Sequence, residues 1–189
     1  SKGFEVHIPK MPNTNYPTIK EWVQYLRKIV GKADRNTYFV GHSVGCQTIL
    51  RYLETLLDNL EIGGAVLVAP WLTLTNIEKD EEKIAKPWLE IKINFEKIKK
   101  HTNNIIAVFS DDDEVVPLEN KKFFEQKISA KTFVEHNQGH FSGSDNITKI
   151  PILLNEIFII SKSKTLCVLP RLKRCGLFRL LDVQEATTP

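Results

Sequence analysis

Hydrophobic and polar positions along this chain change period from one segment to the next. Residues 4–8 (FEVHI) alternate, the period of a strand. Pro9, Pro12, Asn13 and Pro17 then mark a loop. Thr18 followed by Glu21 is a capping-box signature, and Ile19, Trp22, Val23, Leu26, Ile29 and Val30 recur behind it at helical spacing. The spacing predicts a helix over 18–30, closed by Gly31. Residues 37–40 (TYFV) are β-branched and aromatic and predict a strand. A helix is expected over 44–57, with Ile49, Leu50, Leu53 and Leu57 as its apolar side. Residues 64–69 (GAVLVA) and 105–109 (IIAVF) are apolar throughout, the pattern of strands buried on both faces. A short strand over 132–134 and helices over 118–128 and 147–160 complete the set.

Strands and helices therefore alternate, which predicts an α/β chain with a mainly parallel sheet covered by helices on both faces. In such sheets, ligand sites form beyond the carboxyl ends of the strands. Residues 71–100, rich in Lys, Glu and Trp, fall between two strands and are expected to fold as a lid-like insert over that edge. From Ser163 onward the periodicity stops, so the domain is expected to span 1–162, with 163–189 an extension of unknown role.

Composition adds few constraints. A chain of 189 residues with 42% hydrophobic and 26% charged content fits one soluble globular domain. The formal charge of +3 is uneven: residues 162–189 hold six basic and two acidic side chains, which leaves the body near neutral. The balance gives no reason to expect nucleic acid as a partner. No apolar run is long enough to span a bilayer, so no membrane association is expected. Cys46, Cys167 and Cys175 have neither metal-ligand nor disulfide-framework spacing, and a reducing, cytoplasmic setting is expected. The chain opens on Ser1 rather than Met, which leaves room for an upstream leader.

The candidate chemistry begins at Gly41-His42-Ser43-Val44-Gly45. This fits G-x-S-x-G between a predicted strand and a predicted helix, the setting of a nucleophile elbow. The glycines permit a tight turn, and the Val44 amide at the helix N-terminus is the candidate oxyanion donor. A serine hydroxyl needs a base to remove its proton. Acid and base candidates follow in the order such enzymes use: Asp111, Asp112 and Asp113 after the strand IIAVF, then His136 and His140 after the last strand. Spacing alone does not choose among the three aspartates or between the two histidines. Two of the aspartates are expected to be a solvated turn or helix cap. His7 and His101 are expected to be structural, and His42 to turn its side chain away from Ser43. Cys46 is expected to pack as a small hydrophobe. Lys97, Lys99 and Lys100 read as a solvated helix face. Trp71 and Trp88 either line an acyl pocket or pack.

The chain also resembles a known group. Met11-Pro12-Asn13 before a tryptophan-containing helix, Val40 to Cys46, Lys86-Pro87-Trp88, Asp112-Asp113 with Val116-Pro117, and Gly139-His140-Phe141 are similar to the small serine hydrolases of the YdeN and retinoblastoma-binding-protein type, a compact branch of the α/β-hydrolases. The resemblance runs from about residue 3 to about residue 161. It implies Ser43 as nucleophile, Asp113 as acid and His140 as base, in a cofactor-free hydrolase of carboxylic esters or related acyl compounds. Family members begin with a further strand and a glycine-containing loop that supplies a second oxyanion donor. Here both are expected to be missing, an N-terminally truncated α/β-hydrolase. That departure and the basic tail motivate two alternatives: a hydrolase scaffold that recruits a protein partner with little turnover, and an incomplete gene product.

Overall fold

The computed structural model describes residues 4–161 and 165–168. In chain order its elements are β1 (Glu5–His7), α1 (Ile19–Val30), β2 (Thr37–His42), α2 (Val44–Leu53), β3 (Gly64–Val68), α3 (Lys79–Glu90), α4 (Phe95–Lys99), β4 (Ile105–Ser110), α5 (Glu119–Ile128), β5 (Lys131–Glu135), α6 (Pro151–Ile160) and β6 (Thr165–Val168). The strands form one sheet in the order β1-β6-β2-β3-β4-β5, and every neighbouring pair is parallel. Helices flank it: α1 packs on α2, α5 on β4 and β5, and α6 on β3. The apolar runs become the centre of the sheet, with β3 and β4 buried along their full lengths, as a parallel sheet covered by helices requires.

Local chemistry sets the helix limits. Thr18 caps α1, its Oγ1 accepting from the Glu21 amide at 3.3 Å and donating to the Glu21 carboxylate at 2.9 Å. Gly31 ends that helix at φ 62°, its amide bonded to the Arg27 carbonyl. The α2 helix stops at Leu53 rather than 57, and Leu57 is exposed instead of facing the core. The Thr55 hydroxyl donates back to the Tyr52 carbonyl at 2.6 Å and competes with helical continuation. Likewise α6 begins only at Pro151, a residue suited to the first helical position, so 147–150 are loop.

Residues 71–100 hold α3 and α4 and are tied down by side chains from α2 and from its C-cap, Glu54. Gln47 Nε2 donates to the Trp71 carbonyl at 2.6 Å. Arg51 donates to the Trp88 and Ile91 carbonyls at the C-terminus of α3, at 2.6 and 2.7 Å. Glu54 accepts from the Asn94 amide at 2.7 Å. Trp88 packs edge-on against Trp22 and donates its indole N–H to the Pro17 carbonyl.

The β6 strand is the departure the sequence did not announce. Its residues belong to the expected extension, yet they lie inside the sheet between β1 and β2, with Leu166 opposite Val6 on one side and Tyr38 on the other. The boundary expected at 162 therefore does not mark the limit of the sheet. Cys175 and the rest of the extension lie outside the described residues.

Candidate active site

The β2 strand delivers the candidate nucleophile. Ser43 follows it at φ 50°, ψ −117°, a conformation that L-residues adopt only under constraint, and α2 starts at the next residue. Its amide donates to the Val68 carbonyl at 2.9 Å, which pins the turn to the end of β3. Gly41 is required by space: a Cβ there would sit 2.6 Å from Ile49 Cδ1 and 2.9 Å from the Cys46 amide nitrogen. Val44 occupies the first position of α2, where backbone N–H groups lack helical acceptors.

Cys46 is buried behind the turn, its thiol donating to the Gly41 and Val68 carbonyls at 3.2 Å each. Burial pushes its pKa far up, so the thiolate needed for nucleophilic chemistry does not form. The side chain packs as expected.

Asp113 and His140 meet across the loops that follow β4 and β5. Asp113 Oδ2 accepts from His140 Nδ1 at 2.8 Å, while Oδ1 accepts from the Val115 and Val116 amides at 2.9 Å each. The carboxylate is 1% exposed and the imidazole 13%. That bond fixes the tautomer with hydrogen on Nδ1 and leaves Nε2 as a proton acceptor. The Ser43 hydroxyl makes no hydrogen bond to His140.

The other two aspartates lie in an exposed turn, as expected, and there they also hold the loop that carries His140. Asp112 Oδ1 accepts from the Ser110 hydroxyl at 2.6 Å and from the Gly139 amide at 2.8 Å. These bonds, that from Ser110 foremost, hold its pKa below the usual carboxylate value. Asp111 accepts from His136 Nδ1 and from the Asn137 amide. Ser110 also accepts from the Gln138 amide at 3.0 Å. Residues 110–113 thus grip the loop that carries His140 at successive points. Sequence reading missed Ser110, Asp111 and Asp112 in this role.

His42 was also under-read. Its ring reaches the loop of His140, with Nε2 2.8 Å from the His140 carbonyl oxygen and the two ring centres 4.9 Å apart. His136 pairs with Asp111 and makes no contact with Asp113 or Ser43 among the described residues. His7 pairs with Glu5 on the surface, and His101 is buried with Nδ1 donating to the Leu60 carbonyl. Trp71 and Trp88 are both buried, 3% and 2% exposed. Among the described residues no cluster of His, Cys, Asp and Glu is arranged to hold a metal, and no helix is long and apolar enough to cross a membrane.

A serine hydrolase family profile matches residues 5–157, most of the chain. The chain belongs to the serine hydrolase family. It is therefore an enzyme with an α/β-hydrolase-like fold. Among its relatives is the putative hydrolase YdeN of Bacillus subtilis, 30% identical over 152 residues, which cover 80% of this chain and 77% of that one. The serine hydrolase RBBP9 of Rattus norvegicus is 24% identical over 145 residues, covering 76% and 73%. The crystal structure of the B. subtilis ydeN product superposes with a TM-score of 0.73 at 27% identity over 80% of each chain. A structure reported for carboxylesterases of Nitrososphaera gargenis matches at a TM-score of 0.54 and 13% identity over 80% of this chain and 75% of that one, a likeness of fold.

Proposed function

We propose that this serine hydrolase cleaves carboxylic esters or related acyl compounds by acyl transfer to Ser43 and then to water. The observation that carries the reading is the 2.8 Å bond between the buried Asp113 carboxylate and His140 Nδ1, taken together with a serine held in an elbow. Proton transfer from Ser43 Oγ to His140 Nε2 accompanies formation of the Oγ–carbonyl bond. Asp113 orients the imidazole and stabilises the imidazolium. The Val44 N–H donates to the oxyanion. Collapse breaks the bond to the leaving alcohol, which takes the proton from His140. Water then gives a proton to His140 and attacks the acyl carbon, and Ser43 leaves reprotonated with release of the acid. The substrate is a small molecule in this reading, and no metal or cofactor takes part.

The test is labelling with a fluorescent fluorophosphonate, comparing the unmodified chain with Ser43→Ala. Labelling that disappears in Ser43→Ala is expected. Labelling retained by that variant overturns the nucleophile. A folded chain with no labelling favours a hydrolase scaffold that binds a protein partner.

A further inference from the structure

The proposed reaction makes no use of the bond between His42 and His140. A carbonyl oxygen only accepts, so His42 Nε2 carries the hydrogen and donates to the His140 main chain at 2.8 Å. His42 is the last residue of β2, opposite Val68 in the ladder, and it directly precedes Ser43.

The loop that carries His140 turns sharply at three positions. Asn137, Gly139 and Phe141 have φ of 54°, 52° and 53°. Such backbone persists only where its surroundings hold it. The Asn137, Gln138 and Gly139 amides and the His140 ring are all tethered to residues 110–113. Those bonds fix the base against its acid. None of them fixes it against the nucleophile. The side-chain bond from His42 reaches this loop directly from the elbow.

We propose that His42 is a positioning residue for the general base: its imidazole holds the His140 backbone at the separation from Ser43 that proton transfer needs. This rests on the reading of Ser43, His140 and Asp113 given above. Ser43 and His140 are not bonded to each other, so where the main chain places the base bears directly on their separation. A displacement of about 1 Å at such a pair costs on the order of a hundredfold in rate.

The experiment uses the full chain carrying His42→Phe, His42→Gln or His42→Asn. Phenylalanine keeps a ring but donates no hydrogen bond. Glutamine places an N–H near the position of Nε2, and asparagine falls short of it. The readouts are kcat and KM on p-nitrophenyl acetate, the rate of fluorophosphonate labelling, and Tm. His42→Phe and His42→Asn are expected to lose about ten- to a hundredfold in kcat and in labelling rate, with KM little changed. His42→Gln is expected to recover most of that loss. A folded His42→Phe with unmodified kcat, or a His42→Gln as slow as His42→Asn, overturns the proposal. If His42→Phe does not fold, the comparison of glutamine with asparagine decides alone. Absence of Ser43-dependent labelling in the unmodified chain overturns the underlying reading and this proposal with it. Ser43-dependent labelling indifferent to residue 42 removes this proposal only.

Discussion

Asp111 and His136 are ion-paired across the same two loops that bring Asp113 to His140. The hydrogen bond from His136, with that from the Asn137 amide, holds Asp111 below the usual carboxylate value. Asp111 in turn holds His136 above the usual imidazole value.

The pH dependence follows from those directions. The Asp111 contribution is present above its ordinary value of 3.8 and is lost as pH falls through the lowered one. The His136 contribution is present below its ordinary value of 6.5 and is lost as pH rises through the raised one. The pair therefore supports the loop most in the mildly acidic window between. Both groups face solvent, so salt screens them. Melting curves of the unmodified chain and of His136→Gln are expected to differ most near about pH 5 and to converge in alkali and in molar salt. A difference that ignores both pH and salt would show that the contact is not electrostatic.

Asp113→Asn is a near-isosteric change with an asymmetric consequence. The asparagine oxygen still accepts from the Val115 and Val116 amides, so the turn survives. Its amide then points an N–H at His140 Nδ1 and selects the opposite tautomer, which leaves Nε2 protonated and unable to act as base. A fall in kcat of about 10⁴-fold is expected, with Tm little changed. Ester turnover measured beside thermal melting checks this. Activity within tenfold of the unmodified chain would remove Asp113 from the proposed reaction.

Leu166→Pro tests whether the sheet depends on β6. The residue lies opposite Val6 and Tyr38, in the interior of the sheet, where proline removes a ladder donor. Loss of stability by about 1–3 kcal/mol is expected from the ladder partner left unsatisfied, with faster amide exchange at Tyr38, Phe39 and Val40. Hydrogen–deuterium exchange on the folded fraction reads both strands. Unchanged protection along β2 would mean that β6 does not sit beside it in solution.

Strong local signals carried most of the architecture. The apolar runs at 64–69 and 105–109 became β3 and β4, and Thr18 with Glu21 marked the start of α1. The elbow was legible because its glycine answers a local steric demand, the close crossing of Gly41 with α2. The spacing of Asp and His named candidates without choosing among them, since the selection is made by contacts across loops distant in sequence. Ser110, Asp111 and Asp112 look like any polar turn until residues 136–139 are folded against them. His42 is the same case: its neighbours in sequence explain the turn, and its bond lies 98 residues away. The four residues of β6 carry too short a pattern to stand out, and their place depends on a gap between β1 and β2 that only the assembled sheet defines.

The position of β6 gives this enzyme an order of assembly. Ribosomes release a chain from its N-terminus, and local contacts form first. The strand beside β2 is the last of the described strands to emerge, after both loops and the elbow have been made. Until it arrives, the strand that leads into Ser43 lacks this neighbour along one edge. Closure of the sheet between β1 and β2 is thus a late event in synthesis, and a nascent chain halted before residue 165 would already hold every candidate reactive group without the neighbour that braces them.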